Sequence, residues 1–285
     1  MKTLRVAIQK SGRLSEKSLS ILSEAGISLN NGSRKLRSLS GSFPLEVIYL
    51  RDDDIPEYVQ DGVADIGIVG ENEYLEKACE VDLIERLGYA RCRLSLAIPK
   101  ADPYDGIEDL NGKQIATSYP VILNKYLKEH GVHAEIHVLS GSVELAPSIG
   151  MADAIFDIVS SGSTLISNGL REVEVVMHSE AVMIANPSLD AGAKKILDSL
   201  VFRIRSVLAA TNNKYILLNA PNESLDKIIA VLPGIKSPTV TPLADPGWSS
   251  VHSVLSEEAF WDSIDRLREL GAQGILVIPI EKMII

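Results

Sequence analysis

The segment from Gly150 to Thr164 constrains the fold of this chain more than any other. An apolar run from Ala154 to Val159 ends in a hydroxyl-rich stretch, Ser160–Thr164, and apolar residues then return at helical spacing. This order predicts a buried strand, a short loop and a helix start, which is the basic unit of an α/β fold. Loops of this kind present converging backbone N–H groups that suit a phosphate.

Two carboxylates, Asp153 and Asp157, lie four residues apart just before this loop. Carboxylates accept hydrogen bonds from sugar hydroxyls, so next to a phosphate loop they favour a phosphorylated ribose as the ligand. The alternative is a serine-rich turn that only caps a helix. The predicted ribose-phosphate site consists of Asp153, Asp157, Ser160, Ser161, Gly162, Ser163 and Thr164.

Strand-like and helix-like segments alternate over the first 179 residues and predict an α/β fold with a largely parallel sheet. Gly62–Ile66 resembles Gly150–Ala154, and each leads into an apolar strand. This similarity indicates two lobes of like architecture with a cleft between them, and ligands at the carboxyl ends of the strands. A strand-like run over residues 173–185 and a long helix over residues 189–211 would return the chain to the first lobe.

The last part of the chain has a different pattern. Its predicted elements follow the order β-α-β-β-α-β of the ferredoxin-like plan, with Ser256 capping the second helix and Gly271 ending it. We see no catalytic-looking cluster in this sequence. It therefore predicts a regulatory or assembly role rather than a second active site.

The first lobe offers its own candidates for an anion or a flat ligand. The loop Lys10–Arg13 follows the first strand and places two cations beside a glycine, although a solvated turn would look the same. Arg51 ends another strand and is a candidate partner for a phosphate or a carboxylate. In Asp65–Glu71, a buried strand ends in a glycine turn, and its glycines serve either a ligand or packing.

Composition narrows the class of ligand. The chain has 28 basic and 38 acidic residues, a formal net charge of −10 and no run rich in lysine or arginine, which argues against a nucleic-acid partner. No apolar stretch approaches the length of a signal peptide or a membrane span, so we expect a cytoplasmic protein. Cys79 and Cys92 lack metal-ligand spacing and are predicted to be structural thiols.

Taken together, the sequence resembles the ATP phosphoribosyltransferase family in its long form. The resemblance covers essentially the whole chain, and its specificity lies in the order of several short segments. They are Gln9–Leu14, Arg51–Pro56, Asp65–Asn72, Asn111–Pro120, Gly150–Thr164, Asn168–Val173 and Ile278–Met283.

The resemblance implies transfer of the ribosyl group of phosphoribosyl pyrophosphate (PRPP) to N1 of the adenine of ATP, with Mg²⁺ and release of pyrophosphate. It implies a periplasmic-binding-protein-like catalytic part and a C-terminal ferredoxin-like (ACT-like) regulatory domain. The expected boundaries are residues 1–98 with 180–211 for the ATP lobe, 99–179 for the PRPP lobe and 212–285 for the regulatory domain.

The resemblance also assigns residues. It places the ribose 5-phosphate on Ser160–Thr164 with Asp153 and Asp157, and it assigns no protein ligand to Mg²⁺. The residues expected to take a direct part in catalysis are Lys10, Arg13, Asp153 and Asp157. The residues expected to bind ATP are Lys10, Ser11, Gly12, Arg13, Arg51, Asp65, Gly70 and Glu71.

For regulation, the resemblance implies that histidine binds the C-terminal domain and inhibits the enzyme, with Thr239 and Asn219 as contacts. It further implies homo-oligomers, dimers or hexamers, that need no separate regulatory subunit. Two other interpretations remain open at this point. One is a two-lobed binding protein without catalysis, and the other is a phosphoribosyltransferase with a different acceptor.

Overall fold

The computed structural model describes residues 2–29, 36–232, 234 and 237–284 of the chain. The chain forms two compact units. One consists of Met1–Ser23 and Ile27–Leu197, and the other of Glu24–Gly26 and Asp198–Ile285. None of the helices in the described ranges is both long and apolar enough to cross a membrane.

The first unit contains eleven strands within the described residues, and the second contains four. The strands of the first unit are β1 (Leu4–Gln9), β2 (Arg37–Leu39), β3 (Leu45–Leu50), β4 (Ile66–Gly70), β5 (Asp82–Arg86), β6 (Cys92–Pro99), β7 (Gln114–Thr117), β8 (Glu135–Val138), β9 (Ala154–Val159), β10 (Leu170–Ser179) and β11 (Ala181–Ala185). Those of the second unit are β12 (Asn213–Pro221), β13 (Thr239–Pro242), β14 (Trp248–Ser256) and β15 (Gln273–Pro279).

Helices follow most of the parallel strands. In chain order, the α-helices of the described residues are α1 (Arg13–Glu24), α2 (Ile55–Gln60), α3 (Glu71–Lys77), α4 (Pro120–Glu129), α5 (Ser163–Ser167), α6 (Ala191–Thr211), α7 (Leu225–Val231) and α8 (Glu257–Glu269). Proline in the first turn suits α2 and α4, because the backbone N–H that it lacks has no partner inside a helix. Ser256 accepts the N–H of Ala259 at 3.1 Å and caps α8, as predicted.

The first unit is built from two sheets with the same strand order. In the first sheet the order is β2-β3-β1-β4-β11-β5, and in the second it is β8-β7-β9-β6-β10. Without the short edge strand β2, the first sheet has its own strands in the order β3-β1-β4-β5, with β11 inserted before β5. The second sheet has the matching order β8-β7-β9-β10, with β6 inserted before β10. The repeated order confirms the prediction of two lobes of like architecture, in a periplasmic-binding-protein-like fold.

The prediction of a largely parallel sheet is wrong, because both sheets are mixed. In the first sheet β1 is parallel to β3 and β4, but β11 is antiparallel to β4 and β5. In the second sheet β7 is parallel to β8 and β9, but β6 is antiparallel to β9 and β10. The inserted strands, β11 and β6, run in the opposite direction because they carry the chain between the lobes.

These two crossings also correct local predictions. The expected lobe boundary after residue 98 falls inside β6, which pairs in the second sheet. The single strand-like run over residues 173–185 is two strands, β10 and β11, which belong to different sheets and meet at Glu180. The segment before β9 contains two short 3₁₀ turns, Val143–Leu145 and Pro147–Ile149, and Pro147 opens the second.

The C-terminal part of the second unit has a four-stranded antiparallel sheet in the order β13-β14-β12-β15. Helices α7 and α8 pack on one side of it around buried Ile216, Leu218, Val251 and Leu267. The element order and the sheet order are those of the ferredoxin-like plan, so this prediction is confirmed. The second unit begins within α6, at Asp198, ahead of the expected boundary at residue 212.

Candidate active site

The predicted phosphate loop follows β9 at the carboxyl edge of the second sheet. Gly162 takes a φ of +80°, in the left-handed region that favours glycine, and starts the short helix α5. The hydroxyl oxygens of Ser161 and Ser163 lie 3.0 Å apart, and both side chains are exposed. The structure therefore brings the loop residues together as an accessible, hydroxyl-rich turn.

Asp157 lies in β9, three residues before this loop, and is half-buried. Burial raises the pKa of its carboxyl group to about 6, and the charge of Glu144 adds to the effect. A hydrogen bond from the N–H of Ile158, at 2.8 Å, opposes it. A carboxyl group whose pKa is shifted by burial is a candidate for a functional site.

Asp153 lies at the opposite end of the same strand. Its carboxylate accepts the backbone N–H of Gln114 at 2.8 Å, and one oxygen is 3.8 Å from the ammonium of Lys113. Residues four apart on a strand are separated by about 13 Å, so a single ribose does not reach both Asp153 and Asp157. The structure thus separates the two aspartates that the sequence pattern had placed together.

The loop Lys10–Arg13 follows β1 at the carboxyl edge of the first sheet. Gly12 takes a φ of +98° and precedes α1, which begins at Arg13. The side chains of Lys10, Ser11 and Arg13 are all exposed. Within the described ranges, no ion pair occupies the ammonium of Lys10 or the guanidinium of Arg13. Two cations thus remain available to an anionic ligand.

Arg51 lies at the same edge, directly after β3, but its guanidinium already has a partner. Its Nε and Nη2 donate to the carboxylate of Asp53 at 3.0 and 3.1 Å, and this contact raises the pKa of Arg51. Asp52 accepts a bond from the side-chain amide of Gln9 at 3.1 Å. An anion that approached Arg51 would therefore compete with Asp53 for the guanidinium.

The segment Asp65–Glu71 does not lie at one place. Asp65 is at the amino end of β4, where it accepts the backbone N–H and the guanidinium of Arg5. Glu71, at the carboxyl end, is 8% exposed and forms a bidentate ion pair with Arg86. A Cβ on Gly67 would lie 2.6 Å from a methyl group of Ile55, so this glycine serves packing.

Only the end of this segment, Gly70 and the start of α3, lies at the edge of the sheet that carries Lys10. Asp65 lies about 17 Å from that edge, because a strand of five residues intervenes. Glu71 is occupied by its own arginine. Both residues thus have structural partners within the lobe.

Contacts between α3 and the start of α4 join the two edges. Tyr119, which follows β7, donates its hydroxyl hydrogen to Glu73 at 2.9 Å and lies 3.3 Å from the amide nitrogen of Asn72. Glu76 accepts the backbone N–H groups of Val121 and Ile122, at 2.9 and 3.0 Å. Because α3 and α4 follow the carboxyl ends of β4 and β7, these contacts bring the carboxyl edges of the two sheets next to each other.

Where the two edges meet, ionisable groups have pKa values raised by burial and by neighbouring charges. Burial is the main cause that raises the pKa of Tyr119, and the charges of Glu73 and Asp157 add to it. Burial also raises the pKa of Glu73, as do the charges of Asp52 and Asp53. Carboxylates of both lobes therefore act on Tyr119, Glu73 from the first lobe and Asp157 from the second.

Tyr119 and Glu73 are functional candidates that the sequence pattern did not identify. Tyr119 belongs to one of the segments that carry the family resemblance, but nothing in its spacing assigns it a role. Glu73 follows Glu71 and reads as one more acid in the first turn of a helix. Only the packing of α3 against α4 brings them together.

In the second unit, the structure places Asn219 and Thr239 on one side of the sheet. Asn219 pairs with Ser250 on β14, and Thr239 pairs with His252 on the same strand. His252 bonds Tyr215 through Nδ1 at 2.7 Å and Ser250 through Nε2 at 3.0 Å. A ligand that contacted both predicted residues would cross β14 over Ser250 and His252.

Two family sequence models match consecutive parts of the chain. The model of the ATP phosphoribosyltransferase family matches residues 51–206, which is more than half of the chain. The model of the HisG C-terminal domain matches residues 210–282. The second match covers the ferredoxin-like sheet and its two helices.

ATP phosphoribosyltransferases from other organisms are similar to the chain along nearly all of their length. The enzyme of Parabacteroides distasonis is 61% identical over 282 residues, which cover 99% of this chain and 100% of that enzyme. The enzyme of Cytophaga hutchinsonii is 58% identical over 281 residues, covering 99% and 98%.

A solved structure of an ATP phosphoribosyl transferase is also similar to the chain. The ATP phosphoribosyl transferase (HisG:HisZ) complex from Thermotoga maritima contains a chain with a TM-score of 0.63 and 30% sequence identity, over 72% of this chain and 98% of that one. With the family matches and the relatives, it leads to one conclusion. The chain belongs to the ATP phosphoribosyltransferase family, in the long form that carries a C-terminal regulatory domain.

Proposed function

We propose that the cleft between the two sheets binds PRPP on the second lobe and ATP on the first, and joins the ribose of one to N1 of the adenine of the other. One observation carries this assignment. The hydroxyl-rich loop and the half-buried Asp157 lie at the carboxyl edge of one sheet, and Tyr119 links that edge to the edge with the exposed Lys10–Arg13 cations.

On the donor side, the loop Ser160–Thr164 holds the 5-phosphate through its N–H groups and hydroxyls. Asp157 accepts hydrogen bonds from the ribose hydroxyls and, as a carboxylate above about pH 6, favours positive charge on the sugar. Asp153 is left out of this site, because it lies about 13 Å away along β9.

On the acceptor side, Lys10 and Arg13 meet the phosphates of ATP or the leaving pyrophosphate, with Ser11, Gly12 and Gly70 lining the same edge. Arg51 joins them if it exchanges Asp53 for a phosphate. Asp65 and Glu71 support the lobe from within, through their ion pairs with Arg5 and Arg86.

Mg²⁺ fits this site as an ion carried mainly by the substrates. Within the described residues, no three His, Cys, Asp or Glu side chains gather to hold a metal ion. Mg²⁺ commonly keeps several waters and binds substrate phosphates with one or two carboxylates, and Asp157 is the available carboxylate at the donor end. The ion would supply charge neutralisation on the pyrophosphate.

The chemistry needs alignment more than a base. The lone pair of adenine N1 forms the new bond to C1 of the ribose, while the bond from C1 to the pyrophosphate oxygen breaks and its electrons leave with the pyrophosphate. The transition state places positive charge on the sugar and negative charge on the leaving group. Asp157 and the Lys10–Arg13 cations suit these two charges.

For the C-terminal domain we propose histidine as the inhibitor, with Asn219 and Thr239 as contacts. We further propose that the protein acts in the cytoplasm as a homo-oligomer without a separate regulatory subunit. The ferredoxin-like sheet and the match to a C-terminal regulatory domain support the regulatory part of this proposal.

One assay tests the reaction directly. Purified protein is incubated with ATP, PRPP, Mg²⁺ and inorganic pyrophosphatase, which removes the back reaction, and the products are identified by mass spectrometry. We expect phosphoribosyl-ATP, formed more slowly when histidine is added. PRPP that is bound but never consumed would instead indicate a binding protein, and transfer to another acceptor would contradict the ATP assignment.

A further inference from the structure

We infer that Arg93 is a positioning residue for the phosphate loop, and that Glu172 holds it in place for that role. The inference rests on the proposed function of the Ser160–Thr164 loop. Arg93 lies near the start of β6, the inserted strand between β9 and β10, and reaches both neighbours with its guanidinium.

The guanidinium makes three contacts. Its Nε and Nη2 donate to the two carboxylate oxygens of Glu172, at 2.5 and 2.7 Å, and its Nη1 donates to the backbone carbonyl of Ser160 at 3.2 Å. The hydroxyl of Ser95, which is 1% exposed, donates to the same carboxylate at 2.5 Å. The ion pair with Arg93 is the main cause that lowers the pKa of Glu172, so this carboxylate is charged at neutral pH.

The bond to Ser160 has a geometric consequence for the loop. A peptide unit is planar and trans, so the carbonyl of Ser160 and the N–H of Ser161 point in opposite directions. When Arg93 holds the carbonyl on one side, the N–H of Ser161 is directed to the other. Arg93 thus fixes the direction of the first donor in the loop without touching the substrate.

Arginine is suited to this task in a way that lysine is not. The planar guanidinium spreads its donors over a rigid fork, so one edge pairs with a carboxylate while the remaining N–H groups bond elsewhere. An ammonium group at the same place keeps its charge beside Glu172, but it lacks the fork that serves carboxylate and carbonyl together. The substitution Arg93→Lys therefore separates the positioning role from the ion pair.

Arg171→Lys is the matched control. Arg171 lies on β10 in the same lobe, and its Nη2 donates to the backbone carbonyl of Asp102 at 2.8 Å. This contact also joins an arginine to a carbonyl, but Asp102 is far in sequence from the phosphate loop and borders a different cavity. A general cost of replacing an arginine in this lobe would appear in both variants.

The experiment measures kcat, the KM of each substrate and Tm for Arg93→Lys, Glu172→Gln and Arg171→Lys. The first two variants should raise the KM for PRPP by about tenfold, because the N–H of Ser161 is then no longer held toward the phosphate and one hydrogen bond to a charged ligand is lost. The KM for ATP should change less than about twofold. Arg171→Lys should change neither. Tm should fall less for Arg93→Lys than for Glu172→Gln, because lysine keeps a charge beside Glu172 whereas glutamine removes the ion pair.

An unchanged KM for PRPP in both Arg93→Lys and Glu172→Gln would overturn the inference, as would an equal rise in the KM for both substrates. Isothermal titration of PRPP, without ATP, gives a reading that does not depend on turnover. If the unaltered protein forms no product, the proposed function fails, and the titration still decides whether Arg93→Lys weakens PRPP binding. If product forms and PRPP binding is the same in all variants, only the role of Arg93 fails.

Discussion

The carboxylate of Asp153 accepts the backbone N–H of Gln114 at 2.8 Å, and the N–H of Asp153 donates to the carbonyl of Gln114 at the same distance. Asp65 and Arg5 make the same pair of bonds in the first lobe, at 2.7 and 2.9 Å. Each aspartate stands one residue before a buried parallel strand. The repeated Gly-x-Ala-Asp pattern therefore starts a strand and fixes its register against its neighbour.

Because these contacts are structural, Asp65→Asn and Asp153→Asn should lower stability. We expect a loss of about 1–3 kcal/mol in the free energy of unfolding, larger for Asp65, which is 8% exposed and also bonds a guanidinium. Denaturant unfolding followed by circular dichroism measures the loss. Full stability in both variants would contradict the structural role.

Asp157 gives the activity a pH dependence. Its pKa of about 6 means that it is protonated below that pH and a charged acceptor above it, so the KM for PRPP should rise as the pH falls from 8 to 5. The phosphate groups of PRPP titrate in the same range. Asp157→Asn is therefore the reference, because its KM retains only the substrate's own pH dependence.

The deciding quantity is the KM for PRPP of Asp157→Asn divided by that of the unaltered protein. It should be largest at pH 8, where the carboxylate is charged, and should shrink toward pH 5. A ratio that stays constant over this range would mean that the charge of Asp157 does not take part in PRPP binding.

Several elements were predictable because their signal is local. Strand β9 has the bounds of the apolar run Ala154–Val159, which ends in a hydroxyl-rich turn, and Ser256 caps α8 as predicted. The order of the short segments was enough to indicate the family. The loop Ser160–Thr164 and its strand were likewise visible in the sequence.

Other features depend on pairing that a single sequence does not display. Asp153 and Asp157 are neighbours in the sequence, but a strand of known rise puts them at opposite edges of the sheet. Arg93, Ser160 and Glu172 are scattered along the chain and meet only because β6 is inserted between β9 and β10. Glu71 is buried and its carboxylate is paired with Arg86, and the sequence shows neither the burial nor the partner.

In the second unit, Asn219→Ala should weaken inhibition by histidine and leave activity without histidine unchanged. The matched control is Asn213→Ala, which lies at the other end of the same strand and donates to the carbonyl of Ala209 at 2.7 Å. The concentration of histidine that halves the rate should rise for the first variant by about tenfold, as expected for one lost hydrogen bond to a charged ligand. If histidine inhibits Asn219→Ala as strongly as it inhibits Asn213→Ala and the unaltered protein, Asn219 is not a contact.

The central claim is that PRPP binds at the carboxyl end of β9. The most direct test is the dissociation constant of PRPP, measured by isothermal titration at pH 8 for Asp157→Asn and Asp153→Asn. We expect Asp157→Asn to weaken binding by about tenfold or more, and Asp153→Asn to change it by less than about twofold. Weaker binding in Asp153→Asn with unchanged binding in Asp157→Asn would place the ribose at the other end of the strand and contradict the account.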